Sequence, residues 1–327
     1  MSDSAAQTTG VVVVTPVFED VEASGRLFQE LGRLYGESLY VVAVDDGSVH
    51  QPLSADVLAG AGVQGVVLRL RRNVGHQKAI ATGLSYVADQ LPGAPAVVVM
   101  DSDGEDLPQT VPELVRALED PAVDVAVAHR KSRVETWRFK AFYAVYKRFF
   151  KAMTGRPISF GNFMALKPHA LQRLVAMREL PTPVAGAVLA PRLRPRRCPL
   201  DRGPRYAGRS KMNFVGLVLH GFKGLMVFAE DVLVRSGLAC SLLAGLAVVG
   251  GMLALVLKLF GYATPGWFSL AAGILVLIFL QTAGLALMSL MTLMITGVLR
   301  GSSVSMPSAY QSLVAEVLPA RALTKLP

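Results

Sequence analysis

The sequence predicts an α/β protein with a Rossmann-like, mostly parallel sheet, followed by an interfacial amphipathic helix and a two-helix transmembrane hairpin. Three observations predict it. Short β-branched runs alternate with helix-length amphipathic segments through residues 1–210. Several of those runs end in acidic or polar residues, as strands do at the ligand-binding edge of an open sheet. Two long uncharged stretches follow, each meeting the roughly 20 apolar residues that a bilayer crossing needs.

In chain order, Val11 to Val14 reads as a strand, and Val21 to Tyr35 as a helix with Leu27, Phe28, Leu31 and Leu34 on one face. Leu39 to Val44 and Val66 to Leu70 are the second and third strands, and Gln77 to Leu91 is a helix. Ala96 to Met100 is the central strand, Pro108 to Leu118 a helix, and Val123 to Ala128 a further strand. Strands alternating with helices of this length predict parallel pairing through right-handed crossovers. Phe139, Phe142, Tyr143, Tyr146, Phe149 and Phe150, interleaved with Arg138, Lys140, Lys147 and Arg148, form a surface helix that either packs under the sheet or touches lipid. Asn213 to Val234 is too interrupted by His220, Lys223, Glu230 and Asp231 to span a membrane, and reads as an interfacial helix.

The 327 residues are 52% hydrophobic and only 17% charged, with a mean hydropathy of +0.43. The excess lies in Ser236 to Leu257 and Trp267 to Leu299, separated by Lys258 and a turn-rich stretch. Arg209, Lys211, Lys223 and Arg235 precede the first span, and Arg300, Arg321 and Lys325 follow the second. The positive-inside rule places both ends in the cytoplasm, with a multi-pass anchor in the cytoplasmic membrane. Met1 to Gly10 is polar, so no signal peptide is expected. The expected segments are 1–210 catalytic, 211–235 interfacial, 236–300 transmembrane and 301–327 a cytoplasmic tail. Cys198 and Cys240 lie in different regions and support neither a disulfide framework nor a cysteine metal site. The net charge of +9 suits anionic lipid or phosphates; no nucleic-acid-binding signature accompanies it. Gly245, Gly250 and Gly251 permit close helix contact, including between copies in a homo-oligomer.

Asp101-Ser102-Asp103-Gly104-Glu105-Asp106 follows the central strand. Carboxylates at i and i+2 point the same way on an extended segment, and two or three hard oxygens suit Mg²⁺ or Mn²⁺. The alternative is an acidic loop that caps the next helix. Asp45-Asp46-Gly47-Ser48 ends the second strand. Its carboxylates can accept from ribose hydroxyls and a base N–H, or the stretch is an ordinary turn. Neither a dinucleotide-binding glycine fingerprint nor a P-loop is present.

Taken in order, Thr15-Pro16-Val17-Phe18-Glu19-Asp20, Val44-Asp45-Asp46-Gly47-Ser48, Arg72-Asn73-Val74-Gly75-His76 and Asp101-Ser102-Asp103 resemble glycosyltransferase family 2, which has the GT-A fold and uses nucleotide-sugar donors. Gly208-Arg209-Ser210-Lys211-Met212 followed by two spans is similar to the polyprenyl-phosphate branch, with its bactoprenol glucosyltransferases and dolichol-phosphate mannose synthases. The resemblance implies inverting transfer of a sugar from a UDP- or GDP-linked donor to a polyprenyl phosphate. It implies that Pro16, Phe18 and Asp20 border base and ribose, that Asp45 and Asp46 read the nucleoside, and that Asn73 and Ser102 line the same donor site. Asp101 and Asp103 match the metal element, and Glu105 stands where close relatives carry a metal-contacting Gln. Arg130 matches a phosphate-contacting arginine, assisted by Arg133 and Lys140. Arg205 and Lys211 match, loosely, a phosphate-neutralising pattern within the eight cations of Pro191 to Lys211.

One departure is Gly161-Asn162-Phe163-Met164, where bactoprenol enzymes carry Gly-Asp-Phe-Arg. A phosphate monoester is already ionised at neutral pH and can attack without a general base. Rival expectations are a family 2 enzyme acting on another glycolipid or a polysaccharide, and a membrane scaffold that binds nucleotide-sugar without turnover.

Overall fold

The computed structural model describes residues 10–130, 137–155, 161–177, 179–181, 184–189, 193–207, 225, 227–262, 264–301 and 307–320. Two compact units partition the chain, one built on the sheet and one on the C-terminal helices.

The sheet unit opens with β1 (Val11–Val17), α1 (Val21–Tyr35), β2 (Leu39–Asp45), α2 (Ala55–Gly60), β3 (Gln64–Leu70), α3 (His76–Gln90) and β4 (Val97–Val99). It continues with α4 (Val111–Ala117) and β5 (Val125–Arg130). The next helix, α5 (Trp137–Thr154), starts in this unit and ends in the other; β6 (Met164–Leu166), α6 (Pro168–Val175), α7 (Val184–Ala187) and β7 (Pro195–Leu200) follow. The eight-stranded sheet has the order β7-β5-β6-β4-β1-β2-β3-β8, where β8 is Val314–Ala320. Pairing is parallel for β1 with β2 and β4, for β2 with β3, and for β5 with β7. It is antiparallel where β6 sits between β4 and β5, and where β8 covers β3.

Period-two alternation splits the core between the two faces. Val12, Val14, Val42, Val44, Val97 and Val99 pack with α3, α6 and α7; Val13, Val41, Ala43 and Val98 pack with α1 and α4. A sheet covered on both sides must be apolar on both, so its strands read as continuous valine runs. β7 contains Pro195 and Pro199 and lies at an edge, where a missing N–H costs no ladder bond.

The expected helices and strands over residues 11–128 are present with shifted ends, and β6 to β8 are additions. The largest difference concerns the C-terminal tail. Val314–Ala320, expected as part of a separate tail, is an edge strand whose Arg69–Glu316 ion pair (2.7 Å) crosses to β3. Just before it, the Tyr310 hydroxyl donates to Asp89 at 2.7 Å and its ring meets Tyr86 edge-on.

The second unit contains α8 (Ala229–Leu259) and α9 (Trp267–Gly301), both long and apolar enough to cross a membrane. Leu238, Leu242, Leu246, Leu270 and Leu277 are all more than half exposed. Small residues mark the contact side: Ala244, Ala247 and Ala254 are buried, and a Cβ at Gly250 would meet Leu275 of the neighbouring helix at 3.3 Å. Most of the expected interfacial helix lies outside the described residues; its last turn, from Ala229, belongs to α8. The end of α5 also belongs here, with Phe150 against Phe228 and the Arg235 guanidinium donating to the Ala152 carbonyl at 3.0 Å.

Candidate active site

Parallel register brings the carboxyl ends of β1, β2 and β4 together. Val17 lies opposite Asp45, and Val14 opposite Val99, so Pro16 to Asp20, Asp45 to Ser48 and Asp101 to Asp106 emerge side by side. The Ser102 hydroxyl donates to the Pro16 carbonyl (2.9 Å), and the Asp46 N–H to that of Val17 (2.8 Å), which ties the three ends.

Asp45, expected to read the nucleoside, and Asp20, expected to border base and ribose, both hold local backbone in this structure. Asp45 is fully buried, and its two oxygens accept the N–H groups of Ser48 (3.0 Å) and Leu53 (2.9 Å). It shapes the loop after β2 and offers no exposed oxygen to a base, so its assignment as a nucleoside reader is corrected. Asp20 caps α1, accepting from the Ala23 N–H at 3.3 Å, a job set by its place before the helix. Asp46 accepts from Val74 (2.7 Å) and Gly75 (3.0 Å), joining the β2 edge to the loop before α3. Burial raises its pKa, against the lowering effect of those two N–H groups. Phe18, after β1, is 40% exposed, and Asn73, in the loop before α3, is exposed as well.

Glu19 was missed as a shaping residue. It sits at φ +47°, and its carboxylate accepts the N–H groups of Val49 (2.6 Å), His50 (3.0 Å) and Gln51 (2.7 Å). Three converging N–H groups favour the ionised form, and the Glu19 pKa is lowered, first by the His50 bond. The positive φ of an acidic residue was not legible from composition.

The acid loop after β4 meets the segment after β7. Asp103 accepts from Arg205 Nη2 (2.6 Å) and, through its other oxygen, from the Glu105 N–H (3.0 Å). Glu105 pairs with Arg205 Nε (2.9 Å) and with Arg202. The two segments also pair through backbone, Gly203 N–H to the Glu105 carbonyl (3.0 Å) and Tyr206 N–H to that of Asp103 (2.9 Å). Gly104, at φ +87°, leaves room for the Tyr206 ring, which any Cβ there would strike. Asp106 is buried and accepts the Asp101 N–H at 2.9 Å; desolvation, then the charge of Asp101, push it up to about 8. Burial likewise raises Asp103. Asp101 goes the other way, because His76 and the arginines outweigh its burial.

His76 is the second residue missed. It opens α3 after Gly75 (φ +91°), and its Nε2 lies 3.2 Å from both Asp101 Oδ1 and Asn162 Nδ2. Burial pulls its pKa down, but Asp101, Asp103 and Asp46 outweigh that and the pKa is raised. The only sequence signal was its place at the end of Arg72-Asn73-Val74-Gly75-His76.

Among the described residues no three acidic, histidine or cysteine side chains converge on one point as a preformed metal site. Asp101 Oδ1 is a buried atom without an aligned hydrogen bond, and Asp103 stands two residues on, so this hard-oxygen pair fits Mg²⁺ or Mn²⁺. Glu105 fits less well: both its oxygens face guanidiniums, whereas Asp103 gives one oxygen to Arg205 and the other to a backbone N–H. Arg130 ends β5 opposite Leu200, at the same sheet edge, with its side chain outside the described residues. Arg133 and Lys211 lie outside them altogether, as does the Lys140 side chain.

Sheet and site together define the class: an α/β enzyme whose ligand site is the carboxyl edge of its strands. The chain belongs to glycosyl transferase family 2, whose family model matches residues 12–180. It is a glycosyltransferase. An undecaprenyl-phosphate 4-deoxy-4-formamido-L-arabinose transferase from Enterobacter sp. (strain 638) is 27% identical over 290 residues, covering 85% of this chain and 86% of that protein. Among solved structures, glucosyl-3-phosphoglycerate synthase from Mycobacterium tuberculosis, in complex with Mn²⁺, UDP-glucose and phosphoglyceric acid, is 18% identical with a TM-score of 0.49, covering 70% of this chain and 80% of that one. The same enzyme with Mn²⁺ and UDP-glucose gives 17% identity and a TM-score of 0.48, over 70% and 79%.

Proposed function

We propose that this glycosyltransferase moves a sugar from a UDP- or GDP-linked donor to a polyprenyl phosphate at the cytoplasmic face of a membrane, in one inverting displacement. The observation that carries this is the meeting of Asp103 with Arg205 at 2.6 Å on the ligand-binding edge. An acid suited to a cation and a guanidinium suited to a phosphate stand together there, as transfer between two phosphate-bearing substrates requires. The similarity to an undecaprenyl-phosphate sugar transferase over most of both chains supports the lipid acceptor. The two exposed apolar helices support the membrane.

Asp101 and Asp103 would hold a divalent cation, which would supply charge neutralisation for the departing diphosphate. Arg205 and Arg202 exchange their carboxylate partners for phosphate oxygens as substrate enters, a substitution that a planar guanidinium makes with two parallel bonds. Phe18, with Asp46 holding the 74–75 loop opposite, borders the nucleoside. The acceptor phosphate is ionised at neutral pH, so Asn162 in place of an acid does not prevent attack. β8 follows both long helices and joins the sheet that precedes them, which supports a hairpin with both ends on one side. Residues 1–210 with β8 then form the catalytic domain, and the flanking cations support a cytoplasmic position for it.

The test is transfer from a panel of radiolabelled UDP- and GDP-sugars to undecaprenyl phosphate by the purified full chain with Mg²⁺ or Mn²⁺. An organic-soluble product released by mild acid is expected. Label appearing only in polysaccharide, or no label moved, would overturn the proposal.

A further inference from the structure

We propose that His76 is a positioning residue for Asp101: its Nε2–H holds the inner Asp101 oxygen away from the arginines and so keeps one carboxylate ready for a hard cation. This rests on the transferase proposal only for the identity of the nucleotide diphosphate that accompanies the cation.

Of the four acids in the loop after β4, Asp106 is buried against the Asp101 N–H, and the other three are not equivalent. Asp103 and Glu105 are both ion-paired to Arg202 or Arg205. Among the described residues Asp101 meets no guanidinium and has His76 instead, whose Nε2 lies 3.2 Å from a buried oxygen that accepts no aligned hydrogen bond. Electrostatics alone would draw a third carboxylate toward two nearby arginines, so something must hold it back.

The imidazole is placed for that from both sides along its own backbone. Upstream, the Asp46 carboxylate grips the N–H groups of Val74 and Gly75, the two residues before the ring. Downstream, Gln77 Oε1 accepts the Val184 N–H at 2.8 Å and pins the start of α3 to α7. Gly75, at φ +91°, makes the turn between the two anchors. This gives Asp46 and Gln77 a role that their sequence positions did not suggest: they fix the root of the ring.

Asn162 supplies the third constraint. Its amide lies 3.2 Å from the same Nε2 that faces Asp101. One ring nitrogen cannot donate to a carboxylate and accept from an amide N–H at once. With Nε2–H given to Asp101, the amide turns its oxygen to the ring and shares that hydrogen. The ring is then held between β4 and the residues leading into β6. Side chains that orient a metal ligand in this way typically contribute 10- to 100-fold to metal affinity.

The experiment is calorimetric titration of Mn²⁺ into the full-length chain in detergent, once with UDP and once with GDP present. It is run on wild type, His76→Ala, His76→Gln and Asn162→Ala, each with a ligand-free melting curve. His76→Ala should bind Mn²⁺ about tenfold or more weakly, with its ligand-free melting temperature unchanged. His76→Gln, whose amide N–H can reach the same oxygen, should recover most of the loss. Asn162→Ala should fall between wild type and His76→Ala, because the backbone anchors remain. Unchanged Mn²⁺ affinity in a folded His76→Ala protein would overturn the proposal. If His76→Ala fails to fold, a folded His76→Gln protein that binds as weakly as tenfold below wild type would overturn it, and near-native affinity would support it. Wild type that binds Mn²⁺ with nucleotide but moves no sugar would sink the transferase proposal alone. Wild type that binds no Mn²⁺ with either nucleotide would sink this one.

Discussion

Arg205 reaches Asp103 with one guanidinium nitrogen at 2.6 Å and spends a second on Glu105, so one side chain neutralises two of the four acids after β4. The partners are about a hundred residues apart in sequence and share an edge only because β7 pairs beside β5. This joint is the most exposed to test by substitution.

Asp103→Asn keeps an oxygen for the Glu105 N–H but removes the charge facing Arg205. Sugar transfer should fall by roughly 100-fold or more, the scale seen when a group stabilising developing charge is removed. Far-ultraviolet circular dichroism should be unchanged. Initial-rate assays with saturating donor check it.

Glu105→Gln separates two roles. Because Glu105 faces arginines, the Mn²⁺ concentration for half-maximal rate should stay where it is in wild type. KM for one phosphate-bearing substrate should rise about two- to fivefold, the range for losing a partly exposed ion pair. A large shift in Mn²⁺ dependence with no change in KM would place Glu105 among the ligands.

Glu19→Ala removes the acceptor for three N–H groups of the loop at Val49 to Gln51. KM for the nucleotide-sugar should rise while the KM for lipid phosphate holds, since the loop follows β2 on the side proposed for the nucleoside. Steady-state kinetics with each substrate varied in turn distinguish this from a general loss of fold.

Asp124 gives a pH prediction away from the site. It is buried at the start of β5 and accepts from Arg194 Nη2 (2.7 Å) and His169 (2.9 Å), which hold its pKa well below the usual carboxylate range, the Arg194 bond first. A depressed folded pKa stabilises above the unfolded value, near 3.9, and that stabilisation is lost as pH falls through the folded pKa. Asp124→Asn should therefore cost about 1–2 kcal/mol at neutral pH, with the gap to wild type narrowing below about pH 4. Melting curves of both proteins from pH 7 to pH 3 check it.

What the sequence disclosed follows from how local each signal is. α1 runs from Val21 to Tyr35 as its apolar stripe and Asp20 cap require, and the valine strands to β5 were legible because burial on both faces leaves continuous apolar runs. β6 has three residues and no alternation to read. β7 carries two prolines, which argue against a strand until its edge position is known. The acids at the strand ends were visible for the same local reason. Their uses were not: Asp45 turned inward to Leu53, Glu105 turned to arginines far along the chain, and His76 joined Asp101 only through folding.

β8 is synthesised after both long helices, whereas β3, its partner, is among the first strands made. The outer edge of β3 therefore stays bare until both helices have been made. If the two helices cross a membrane as proposed, only a chain whose second helix returns to its starting side can supply the missing strand. Closure of the sheet would then report on insertion, since an unpaired β3 edge is open to aggregation.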